Sequence, residues 1–81
     1  MLAEHETKRL DLTPWGEVVG PYHGSHIDDK HIYVRIGKIV VAFPLSMPET
    51  SLLLKELSTL SKYQKIGILR IDDRVLIRKI R

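Results

Sequence analysis

The chain contains no cysteine. That excludes disulfide bridges, thiolate metal sites and cysteine nucleophiles together. Aromatic residues are few: one Trp, one Phe and three Tyr. No ribonucleoprotein motif, GXXG loop or zinc knuckle occurs. The glycines are scattered singly, so no phosphate-cradling loop is written here. Ser25, Ser46, Ser51, Ser58 and Ser61 lie outside any nucleophile-elbow motif. His26 and Asp28 could pair for acid-base work, but nothing marks a pocket around them. No enzyme is expected. No apolar run approaches the roughly 18 residues of a membrane span. The opening MLAEHETKRL is charged where a signal peptide is apolar. These absences lead us to expect a soluble, cytoplasmic protein.

What remains is a chain of 81 residues, 43% of them apolar, rich in Ile, Leu and Val. A chain of that length forms one domain spanning residues 1–81. Without staples, it must stand on packing or on oligomerisation. Thirteen Lys and Arg against ten Asp and Glu leave a net charge of +3. The excess gathers late, at Lys62, Lys65, Arg70, Arg74, Arg78, Lys79 and Arg81, opposed there only by Asp72 and Asp73. A basic C-terminal segment invites a polyanion.

The stretch His31 to Phe43, HIYVRIGKIVVAF, organises the chain. It predicts a β-hairpin turning at Gly37-Lys38, where Gly supplies the positive φ of a two-residue turn. Ile36 then opposes Ile39, Val34 opposes Val41, and Ile32 opposes Phe43, all on one face. Tyr33, Arg35, Val40 and Ala42 take the other. Upstream, residues 1–12 read as a short helix or a loose arm, ended by Pro14. Trp15 to Val19 reads as a short strand stopped by Gly20-Pro21. Tyr22 to Ile27 reads as polar and loop-like, with room for a short strand at its end. Downstream, Ser46 and Glu49 fit a capping box, with Pro48 in the first turn. The helix they open brings Leu53, Leu57 and Leu60 to one face, with Leu52 and Leu54 beside them. The last segment predicts a second hairpin at Asp72-Asp73. A two-residue turn gathers Ile66, Ile68, Val75 and Ile77; a three-residue turn gathers Leu69, Ile71, Val75 and Ile77. Both registers stay open, since the second asks Arg74 for a left-handed backbone at about 1 kcal/mol.

Three clusters could carry chemistry. HGSHIDDKH holds His23, His26, Asp28, Asp29 and His31, residue types that ligate Zn, Ni or Fe. It lacks the helical spacing of a metal motif, and a polar surface loop is the plainer account. The acidic pairs Asp28-Asp29 and Asp72-Asp73 offer oxygens for Ca²⁺ or Mg²⁺. Asp is also simply a good turn residue. Finally, Arg35, Lys38, Arg70, Arg74, Arg78, Lys79 and Arg81, with Tyr33 beside Arg35, could bind polyanions by pairing cations with a ring. Charges that guard a sheet edge would look the same.

The fold expected is α+β: a small antiparallel sheet or partly open barrel of roughly five or six short strands, ordered β-ββ-α-ββ. That order of elements is similar to an OB-fold, a small barrel whose central strands often bind oligonucleotides. The function expected is a non-enzymatic binding or assembly module. Its apolar final hairpin could pair with a second copy of the chain or with another protein. Nucleic-acid binding and divalent-cation binding are the alternatives.

Overall fold

A computed structural model describes residues 8–11, 13, 15–48, 50–72 and 74–80. Among them it shows a small, mostly β fold: β1 (Lys8–Asp11), β2 (Glu17–Ile27), β3 (His31–Ile36), β4 (Ile39–Pro44), α1 (Thr50–Leu57), β5 (Lys65–Ile71) and β6 (Arg74–Lys79). The strands make one open sheet in the order β1-β4-β3-β2-β5-β6. No helix among the described residues is long and apolar enough to cross a membrane.

The β3–β4 hairpin has the register that its alternation predicts. Ile36 pairs with Ile39, Val34 with Val41 and Ile32 with Phe43, around Gly37 at φ 58°. Ile32, Val34, Val41 and Phe43 are fully buried. The β5–β6 hairpin takes the two-residue turn, pairing Ile71 with Arg74 and Ile68 with Ile77. Here Asp72 adopts the left-handed backbone, at φ 52°. Asp tolerates that conformation because its short side chain bonds locally, so Arg74 is spared it. Leu53 and Leu57 of α1 are buried against this core, and Leu60 packs partly against it.

Three expectations are corrected. Residues 8–11 form neither a helix nor a loose arm. They pair in parallel with β4, Lys8 to Ile39 through Asp11 to Ala42. An edge of unpaired backbone groups outweighs a weak local helix signal. Residues 1–7, Leu12 and Pro14 lie outside the described set.

Second, Gly20-Pro21 does not stop a strand, and Tyr22 to Ile27 is strand throughout rather than only at its end; β2 runs through both. It pairs with β5 over Glu17 to Pro21 and with β3 from Tyr22 on. The Pro21 carbonyl accepts from Gly37 N at 2.9 Å, so Pro21 turns its polar side toward the β3–β4 turn. That lies past the end of β3, where no ladder donor is needed, and proline is tolerated.

Third, α1 opens at Thr50, not after Ser46. The Ser46 stretch is a tight turn, with Met47 N donating to Pro44 O at 3.1 Å, which tucks Met47 into the core. Glu49, the other half of the expected capping box, is outside the described residues. At the far end, Ser58 and Thr59 hydroxyls donate to the Lys55 and Glu56 carbonyls at 2.6 and 2.7 Å. They cap carbonyls of the last turn, Glu56 O accepting also from Thr59 N at 3.1 Å, and the helix ends there.

The crossing of β2 over the hairpin is close. A Cβ on Gly20 would meet Ile36 Cγ2 at 2.9 Å, and Ile36 is buried. Overpacking of that kind costs about 1–3 kcal/mol, more than the roughly 0.4–1 kcal/mol gained by stiffening the unfolded chain. Gly20→Ala should therefore lower the unfolding free energy by about 1–2 kcal/mol in urea denaturation. An unchanged midpoint would show that Ile36 yields freely.

Candidate functional site

Because Ile32, Val34 and Ile36 point into the core, His31, Tyr33 and Arg35 stand on the outer face of β3. Opposite them on β4 are small or short residues, Ala42 beside Tyr33 and Val40 beside Arg35. The result is a low floor flanked by longer side chains. A shallow groove of about 310 Å³ lies there, lined by Tyr33, Arg35 and Val40 and by His23 to His26 of β2.

His26 reaches this face through a β-bulge. Before it, Val18 and Tyr22 are the buried, core-facing residues of β2. The register then shifts between Tyr22 and Gly24. The extra residue reverses which positions face the core. Ser25 now pairs with Val34 on the inner side, and His26 pairs with Tyr33 on the outer side. Gly24 supports the kink at φ 129°, open to few residues with a side chain. Tyr22 closes the inner side by donating its hydroxyl to Ser25 Oγ at 3.1 Å.

The rings form an ordered row. His26 stacks on Tyr33 with centroids 4.6 Å apart and planes 20° apart. From the β1 side, the Arg9 guanidinium lies 5.7 Å from the Tyr33 ring centre, a cation–π distance. Arg9 also approaches His31 Nε2 at 3.5 Å. A guanidinium can only donate, so that contact is a hydrogen bond when His31 is neutral and protonated on Nδ1. Asp11 pairs with Arg9 at 3.3 Å. At the other end of the groove, His23 meets the Tyr63 ring edge-on at 5.2 Å. Lys62 Nζ sits 5.3 Å from the same ring. Tyr63 is 64% exposed.

Asp28 fixes the row's position. Its Oδ1 accepts from Lys30 N at 2.8 Å and His31 N at 2.7 Å, folding the β2–β3 loop around itself. Its Oδ2 accepts from the Tyr33 hydroxyl at 2.9 Å. The two backbone bonds, then the tyrosine, hold its carboxyl down at about 2. The same contact with Asp28 raises the Tyr33 phenol.

Of the residues considered as metal ligands, Asp28 and His31 are thus absorbed in loop geometry and His26 in a ring stack. Asp29 is exposed in the loop. Asp72 sits on the separate β5–β6 turn, its carbonyl accepting from Arg70 Nε at 3.0 Å, and Asp73 lies outside the described residues. Among those residues no three His, Asp or Glu come together as a metal site. The basic residues are dispersed as well. Arg35 lines the groove, and Lys38 occupies the β3–β4 turn. Arg70, Arg74, Arg78 and Lys79 belong to the β5–β6 hairpin, two strands away in the sheet. Arg78 is paired with Glu17 at 3.0 Å, and Arg81 is outside the described residues. Arg9 and Tyr63 join the row without any local pattern in the sequence to announce them, whereas Lys62 belongs to the late basic excess.

Comparison with protein-family models, with curated proteins and with solved structures returned no match.

The Asp28 arrangement is testable by pH. Its depressed pKa means that the folded state favours the carboxylate. The stabilisation is present above the unfolded value near 3.8 and is lost as pH falls toward 2. A carbon-detected NMR titration should find the Asp28 midpoint near 2. Tyr33→Phe should raise that midpoint but leave it below 3.8, because the larger backbone bonds persist. A midpoint indifferent to Tyr33→Phe would contradict the contact.

Proposed function

We propose that this protein is a non-catalytic module that binds single-stranded nucleic acid along the outer face of β2, β3 and β4. The observation that carries the reading is a set of rings flanked by cations on the two sides of the groove. Arg9, Tyr33 and His26 are followed across the groove by His23, Tyr63 and Lys62. Single strands are held by this combination, with rings stacking on bases and cations following phosphates. The groove is shallow and open, which suits a strand lying across a sheet better than an enclosed small molecule.

The architecture lends support by analogy. With β1 set aside, β2 to β6 and α1 follow the element order of an OB-fold, with β2 shared between the two halves of the sheet. In that fold the second and third strands, and the loops after the first and fourth, form the oligonucleotide surface. The corresponding parts here are β3, β4, the Asp28 loop and the β5–β6 turn. Fold analogy carries no chemistry by itself; the row of side chains supplies it.

The test is fluorescence anisotropy with labelled 12-nucleotide poly(U) and poly(dT), across a salt series. Binding should weaken linearly in log Kd against log salt, by about 0.7 per phosphate contacted. Tyr33→Ala and Tyr63→Ala should each weaken it about tenfold or more, since a base–ring stack is worth about 1–3 kcal/mol. Arg35→Ala should flatten the salt dependence. No anisotropy change with either oligonucleotide at low salt would end the reading.

A further inference from the structure

The sheet ends in two edge strands, β1 and, at the opposite end, β6. Among the described residues β6 pairs only with β5. Ile80 N donates to Lys65 O at 2.9 Å, and the pairing from Ile66–Lys79 to Ile71–Arg74 is regular. In such a ladder alternate residues point opposite ways. Arg74, Leu76 and Arg78 therefore direct their backbone groups toward β5, whereas Val75, Ile77 and Lys79 direct theirs away from it. Beside this edge, a cleft of about 130 Å³ separates β6 from α1, lined by Phe43, Met47, Leu53 and Val75, with Glu56 and Arg74. Leu52 of α1 also lines it and is 54% exposed.

We propose that β6 and this cleft receive an extended acidic peptide segment of another protein, which adds as a further strand and inserts one aliphatic side chain between β6 and α1. Strand addition draws affinity from main-chain hydrogen bonds and specificity from pockets for alternate side chains. Both parts are present here side by side. Charge chooses the occupant. From residue 65 to 79 the sequence carries five bases (Lys65, Arg70, Arg74, Arg78, Lys79) against two acids (Asp72, Asp73), and a positive excess of one remains when Glu17, paired with Arg78, and Glu56, lining the cleft, are counted with them. A second copy of the chain would bring one cationic edge against another, and like charges across strands are unfavourable. An acidic segment meets complementary charge instead. Nucleic acid would match the charge but neither the backbone donors nor the apolar cleft.

The experiment is an amide NMR titration of the intact chain with two octapeptides, Glu-Val-Glu-Leu-Glu-Val-Asp-Glu and its counterpart with Lys at every acidic position. The acidic probe should shift Val75, Ile77, Lys79, Leu52 and Leu53, and slow amide exchange at Val75, Ile77 and Lys79. The basic probe should not. Ile77→Pro removes an outward N–H without removing a bond to β5, and should weaken binding at least tenfold. Leu52→Glu alters an exposed position, leaves the fold intact and should weaken binding through the cleft. The proposal is overturned if the acidic probe fails to bind at about 1 mM, the weak end of specific affinity. It is equally overturned if both probes bind alike, if the shifts map to Tyr33 and His26, or if sedimentation shows the edge already occupied by a second copy.

Discussion

The structure depends on one strand serving two partners. β2 pairs with β5 through its first half and with β3 through its second. Changing partners in mid-strand poses two problems. At the handover a backbone donor must be dispensable, and Pro21 sits where none is needed. The strand must also pass close to the end of β3, and Gly20 permits a contact with Ile36 that a Cβ would obstruct. The bulge that follows reverses the facing of the remaining residues. Without it, His26 would point inward and Tyr33 would lose the ring stacked on it, keeping only the tilted contact with His31 at 5.8 Å. Core and candidate site are set by the same few residues, Gly20 to Gly24.

How much of this was legible follows from where information is local. The β3–β4 hairpin could be read because turn chemistry and alternation agree on one register. The β5–β6 hairpin carries aliphatics on both faces, so alternation selects nothing. The deciding fact is which residue takes the left-handed backbone, and it is Asp72. The helix face could be read from Leu53, Leu57 and Leu60, but not its start, because Met47 is spent on the core before the helix begins. Gly20-Pro21 misleads because a local rule treats proline as a break. That rule does not know that the strand exchanges neighbours at that point. β1 is too short to declare itself, and its order comes entirely from the edge of β4, more than thirty residues away.

The candidate site shows the same division. Tyr33 and Arg35 on one outer face follow from alternation alone. His26 arrives there by the bulge, Arg9 by the parallel pairing of β1, and Tyr63 by a backbone at φ 69°, none of which has a sequence signature. Asp28 illustrates the opposite hazard. Acid beside three histidines resembles a ligand set, yet its oxygens accept two loop amides and a phenol. A carboxylate already held by three donors gains less from a cation than a bare one does, because the cation must displace bonds that already stabilise its charge.

Both ends of the open sheet carry charge. β1, the edge strand beyond β4, is only four residues long and reads KRLD. β6, the edge strand at the other end, carries Arg74, Arg78 and Lys79. Cationic side chains on an edge discourage a copy of itself, which bears the same charges, without discouraging an acidic strand. The same residues would disfavour a second copy and favour the acidic segment proposed for this edge. The β5–β6 charges need not belong to the groove at all. Arg9, Arg35 and Lys62 stand by the rings and the groove, and Arg74, Arg78 and Lys79 lie on β6, so these cations form two groups rather than a single basic surface.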